Sequence, residues 1–136
     1  MGDVDIKKGV CTDVVVRALR YQDMDLQRLI FKDLSKNFSV YPKKWGGLKK
    51  ADKNIDHRRV LNIATYLKRK GFEVSDDKFL PGDIVTWMLP RNLPHIGVIS
   101  DKFYAKTPLV IHNIGSGVQE ENILYSYKIT GHFRLK

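Results

Sequence analysis

The pattern of the chain changes at Gly71, and that change constrains its fold more than any other feature. Before it, apolar residues recur at helical spacing; after it, they fall in short runs bounded by Gly, Pro or Asn. Val14, Val15, Ala18 and Leu19 mark one face of a helix over Asp13 to Arg20. That helix should start at about Cys11-Thr12, because Gly9 interrupts anything earlier. A second helix is expected from Asp25 to about Asn37, with Leu26, Leu29, Ile30, Phe31 and Leu34 as its inner stripe. A third is expected from about Asp56 to Lys70, with Asn54 or Asp56 as N-cap, Gly71 as C-cap and Val60, Ile63, Ala64 and Leu67 buried. Strands are expected over Asp83 to Leu89, His95 to Ser100, Leu109 to Asn113 and Tyr127 to Leu135. Helices first and strands second predict an α+β fold, with N-terminal helices packed on a mostly antiparallel sheet.

The 136 residues suit a single domain spanning 1–136, and 43% hydrophobic with 10% aromatic residues excludes a disordered chain. One cysteine, Cys11, excludes an intrachain disulfide and any zinc site that needs two thiolates. No apolar run is long enough to cross a bilayer. The residues Met1 to Lys8 lack the apolar core of a signal peptide, and Ile6 stands where myristoylation needs Ser or Thr. The expectation is therefore a leader already removed, or export by another route.

A formal net charge of +9 points to anionic partners. Part of it lies in a basic loop over residues 39–53, where Pro42, Gly46 and Gly47 break periodicity and Lys43, Lys44, Lys49, Lys50 and Lys53 surround Trp45. Such a loop either is solvated or binds phosphates and stacks a base on Trp45. No nucleic-acid-binding motif accompanies it, which makes nucleic acid the minority reading.

Cys11 at a helix N-terminus is chemically suggestive, since unpaired amides and the positive helix end favour a thiolate and can hold an oxyanion. A lone cysteine is more often a small buried hydrophobe. A nucleophilic cysteine also needs a base, and the base needs an orienting partner. His95 opens one expected strand and His112 closes the next, so both can face one cleft if those strands pair. Zinc ligation by the two histidines, with Asp101 or His57 as third ligand, lacks the usual short spacing. Core histidines bonded to carbonyls are the remaining alternative. His57, Arg58 and Arg59 either are structural and solvated or form a cationic wall for a substrate carboxylate.

Together these segments resemble a known family. Leu80-Pro81-Gly82-Asp83-Ile84-Val85-Thr86-Trp87, then His95-Ile96-Gly97-Val98-Ile99-Ser100-Asp101, then Val110-Ile111-His112 resemble the core of NlpC-type papain-like cysteine peptidases. The chain is similar over nearly its whole length to the bacterial YijF family, a domain-of-unknown-function family assigned to that superfamily. The likeness lies at Gly9 to Val15, Asn54 to Val60, Ile111 to Gly115 and Thr130 to Arg134. Members of that family usually carry a leader and an upstream segment before the Gly-Asp-Val that begins here at Gly2.

The resemblance implies a papain-like, NlpC-type core and a peptidase or amidase acting on amide bonds of cell-wall peptidoglycan, without cofactor or metal. Carried over by position, Cys11 is the expected nucleophile, His95 the general base and His112 the group that orients it. Trp45, His57, Arg58, Arg59 and Asn113 are the expected substrate-binding residues, and His132 matches a family position without an assigned role. Peptidoglycan or its peptides would be the partner, with an inhibitor or immunity protein if the chain is a toxin, and the periplasm or envelope the location. A non-catalytic wall- or polyanion-binding module, and an acyltransferase with the same residues, are the competing expectations.

Overall fold

The computed structural model describes residues 11–41, 59–115 and 117–135. Among the described residues, three α-helices precede a five-stranded sheet. Helix α1 is Cys11–Arg20, α2 is Leu26–Lys36 and α3 is Val60–Arg69. The strands are β1 (Ile84–Leu89), β2 (Leu93–Tyr104), β3 (Thr107–Asn113), β4 (Val118–Glu121) and β5 (Lys128–Phe133). The sheet order is β4-β3-β2-β1-β5, and every neighbouring pair is antiparallel. The fold is therefore α+β.

Local chemistry sets the helix ends. Asp25 caps α2, its Oδ1 accepting the Gln27 N–H at 3.1 Å and the Arg28 N–H at 3.4 Å. Gly71 adopts φ +79 just after α3, and the Gly71 and Phe72 N–H groups bond back to the Lys68 and Leu67 carbonyls. That paired closure needs a left-handed residue, which glycine adopts without a Cβ clash. The third helix departs from expectation at its start. Arg59 is extended at φ −100 and ψ 122, so α3 begins at Val60 rather than near Asp56. The proposed caps Asn54 and Asp56 lie outside the described residues.

Alternation along the strands gives the sheet two apolar faces. Ile84, Ile96 and Phe133 face the helices and join Val15, Leu26, Ile30, Ile63 and Leu67 in one core. Val85, Trp87, Ile99 and Val110 face the other way and pack with Leu124. The Trp87 indole donates to the Leu124 carbonyl at 2.9 Å, tying the segment after β4 over this second face. Asp33 joins the helical layer: Arg69 donates to it at 2.8 and 3.1 Å and Tyr41 donates its hydroxyl. These contacts hold the Asp33 carboxyl at about pKa 2.

Candidate active site

The two histidines singled out by type do meet. His95 near the start of β2 and His112 near the end of β3 lie at the same end of the antiparallel pair. Both belong to the face that carries Trp87 and Val110, and they are 2% and 1% exposed. His95 Nε2 lies 2.9 Å from His112 Nδ1, and His112 Nε2 lies 2.7 Å from Glu121 Oε1. Glu121 sits on β4 opposite Val110, with its side chain 46% exposed.

For a neutral His112 beside an ionised Glu121, this chain of contacts fixes one set of tautomers. An ionised carboxylate only accepts, so His112 Nε2 carries a proton and donates it to Glu121. Neutral His112 then has a bare Nδ1, which accepts from the Nε2–H of His95. His95 Nδ1 is left as the lone pair that takes a proton. Burial, with His112 beside it, pushes the His95 pKa down to about 4, so the ring is neutral at pH 7. The Trp87 ring lies 5.7 Å away, centroid to centroid, and forms an apolar side of the site.

Close packing of β2 on β3 depends on Gly97. A Cβ there would stand 2.8 Å from Val110 Cγ1, 3.0 Å from the Ile111 carbonyl oxygen and 3.2 Å from His112 Cβ. No side chain larger than hydrogen fits without moving the strand that bears His112.

Cys11 is the first residue of α1, and it packs half-buried against the helix-facing core that includes Ile96. The backbone N–H groups of Ile96, Thr12 and Cys11 itself act to lower its pKa. Ile96 is next to His95 in sequence, but successive strand residues point to opposite faces, so Cys11 lies on the helix side of β2 and the His95 imidazole on the other. The expected thiolate preference does not appear. Burial raises the Cys11 pKa, with nearby Asp13 adding to the rise, and both outweigh the amides and the helix end. At rest the site holds a neutral thiol and a neutral imidazole.

The other expected residues divide. Asn113 is buried and its Oδ1 accepts the Gly115 N–H at 2.8 Å, which shapes the turn into β4. Arg59 is half-buried at the N-cap of α3. Trp45, His57 and Arg58 lie outside the described residues. Zinc ligation by His95 and His112 conflicts with their use of facing nitrogens for each other. Among the described residues, no three His, Cys, Asp or Glu side chains are grouped to hold a metal.

Two polar features went unread in the sequence. Glu121 lies in a polar run, Gln119-Glu120-Glu121, that carries no strand signal. Asp83 and His132 each fall in a motif, yet nothing in their 49-residue separation indicated the 2.6 Å contact they make.

A model of the family described as "Domain of unknown function (DUF1287)" matches residues 1–135. The chain belongs to the DUF1287 family. A relative, "Uncharacterized protein YijF" of Escherichia coli (strain K12), is 51% identical over 138 residues, which cover 98% of this chain and 67% of that protein. The YijF-like character expected from the motifs is thus shown for the DUF1287 domain. Among its described residues, no helix is long and apolar enough to cross a membrane.

Proposed function

We infer that this DUF1287 domain is a cysteine-dependent hydrolase of amide bonds in cell-wall peptidoglycan, built on an NlpC-type papain-like core. The observation that supports it most is the His95–His112–Glu121 chain, whose first member adjoins Ile96, the residue whose backbone N–H favours the Cys11 thiolate. An inert core cysteine needs no such relay, whereas a nucleophile needs a base of fixed tautomer.

In this reading His95 Nδ1 takes the Cys11 thiol proton as sulfur attacks the substrate carbonyl. The backbone N–H of Cys11 helps hold the tetrahedral oxyanion. Collapse breaks the C–N bond, and His95 returns its proton to the departing amine. His95 then deprotonates a water that cleaves the thioester and restores the thiol. The net charge of +9 favours encounter with a polyanionic envelope.

One observation favours a second reading, a non-catalytic wall-binding module: the Cys11 pKa is raised, not lowered. Incubation with purified peptidoglycan and mass spectrometry of the soluble products separates the two. The hydrolase releases new fragments that Cys11→Ala does not. A binder sediments with the wall, releases nothing and keeps its binding in Cys11→Ala. Equal release by Cys11→Ala and the parent chain would overturn the nucleophile assignment.

A further inference from the structure

A cleft beside β5 holds a polar group that the Cys11 chemistry does not use. The cleft measures about 560 Å³, and its walls include Glu73, Ser75, Asp76, Phe79, Ile129 and His132. His132 is 5% exposed. Its Nε2 lies 2.6 Å from Asp83 Oδ2, and Arg134 donates to both oxygens of the same carboxylate at 2.9 Å. Burial works against the Asp83 charge, but Arg134 and His132 outweigh it and hold its pKa below the usual range. Asp83 is therefore ionised, and His132 Nε2 donates to it.

The other ring nitrogen, Nδ1, is buried and has no hydrogen-bond partner among the described residues. Buried polar atoms nearly always have one, so an orphan on a cleft wall points to a missing donor. In neutral His132, Nδ1 is a lone pair that calls for an N–H or O–H. The charged side chains on the wall are both carboxylates, Glu73 and Asp76, in a chain of net charge +9. Each is about half-exposed and holds a 3.7 Å ion pair, to Lys68 and Arg134 respectively, and Asp76 Oδ1 also accepts the Lys78 N–H at 3.0 Å. Phe79, stacked on the His132 ring at 4.3 Å, and Ile129 supply apolar surface.

We propose that this cleft binds the ammonium end of a lysine-like side chain. His132 Nδ1 accepts from the ammonium, Glu73 and Asp76 balance its charge, and Phe79 and Ile129 cover the alkyl stem. Nδ1 is buried, so binding requires the cleft wall at the edge of the His132 ring to open as the ligand enters. The site is independent of the Cys11 reaction and stands whether or not that reaction occurs.

The test uses the full chain with ¹⁵N-labelled histidine rings and two probes, blocked N-acetyl-lysine methylamide and its norleucine counterpart, which lacks the ammonium. Saturable movement of the His132 Nδ1 resonance by the lysine probe is expected, with the norleucine probe at least fivefold weaker. The double variant Glu73→Gln/Asp76→Asn should weaken lysine-probe binding at least fivefold. Its surface positions keep the test open if His132→Gln fails to fold. An Nδ1 resonance that stays at a water-bonded value throughout the titration overturns the proposal. So does equal affinity for the two probes, or undiminished binding by the double variant.

Discussion

Removing the carboxylate of Glu121 should alter the proton inventory of His95, two hydrogen bonds away. Glu121 lies 2.7 Å from His112 Nε2 and is the group that makes that nitrogen the protonated one. In Glu121→Ala, His112 can move its proton to Nδ1 and donate toward His95 instead of accepting. His95 must then place its own proton on Nδ1, which removes the free base. A hydrogen bond to a charged group contributes about 1.5–3 kcal/mol when sheltered. The Glu121 side chain is 46% exposed, which reduces this to about 1 kcal/mol. That shifts the tautomer ratio about fivefold, since 1.4 kcal/mol is a factor of ten. Glu121→Gln keeps an accepting oxygen and should preserve most of the original tautomer. Long-range ¹H–¹⁵N spectra of the histidine rings at pH 7 read this directly, without any substrate. The parent chain should show His112 protonated at Nε2 and His95 at Nε2, and Glu121→Ala a mixed population. A His112 protonated at Nδ1 in the parent chain, or spectra unchanged by Glu121→Ala, would refute the relay.

Four other outcomes follow from the same contacts. Alkylation of Cys11 by iodoacetamide should accelerate only above the ordinary thiol range, and Asp13→Asn should move the profile downward; a plateau already reached at pH 6 contradicts the buried neutral thiol. His95 is neutral down to about pH 4 when folded but charges near 6.5 when unfolded, so stability falls as pH drops from about 6.5 to 4, by at most about 3 kcal/mol. Urea midpoints should show that slope, and it should flatten in His95→Gln. Gly97→Ala should cost about 1–3 kcal/mol through overpacking of β2 on β3, and a melting curve that superposes on the parent's would contradict the 2.8 Å approach to Val110. Asp83→Asn leaves Arg134 and His132 without their shared partner and should cost about 3 kcal/mol in urea unfolding; full stability would show that the buried pair is dispensable.

What could be read beforehand divides along the range of the interactions. The start of α1, the Asp25 cap and the Gly71 stop rest on neighbours a few residues apart, so residue type revealed them. β4 rests on backbone pairing with β3, and all four of its residues are exposed, so no apolar alternation marked it. β2 outran its expected ends because Leu93 and Pro94 pair with Leu89 and Met88, which keeps a turn-like dipeptide in the strand. The site follows the same division. His95 and His112 were found by residue type, but their contact depends on strand parity and register. Glu121 was lost together with its strand. The sign of the Cys11 shift was missed because helix position is local, while burial against the Ile96 core is not.

The neutral resting pair bears on catalysis through a sum of opposing terms. Even a thiol at its ordinary pKa of about 8.5, facing His95 at about 4, puts the ion pair some 6 kcal/mol above the neutral pair before the two charges attract. At 4 Å, with an effective dielectric of 20, that attraction returns about 4 kcal/mol. The remainder, about 2 kcal/mol, leaves a few per cent of ion pair, ample for a nucleophile whose reaction barrier is far larger. Burial of Cys11 adds to this cost, and the Ile96 and Thr12 amides reduce it. The balance turns on separation: at 10 Å the attraction falls to under 2 kcal/mol, and the thiolate becomes too rare to serve. Hydrolase and binding module therefore differ in whether Cys11 Sγ and His95 Nδ1 close to hydrogen-bonding distance when a peptide is bound. A hydrolase should show His95→Gln slowing Cys11 alkylation in the presence of wall peptides, because the base has been removed. A rate indifferent to His95 under those conditions would leave the relay without a nucleophile to serve.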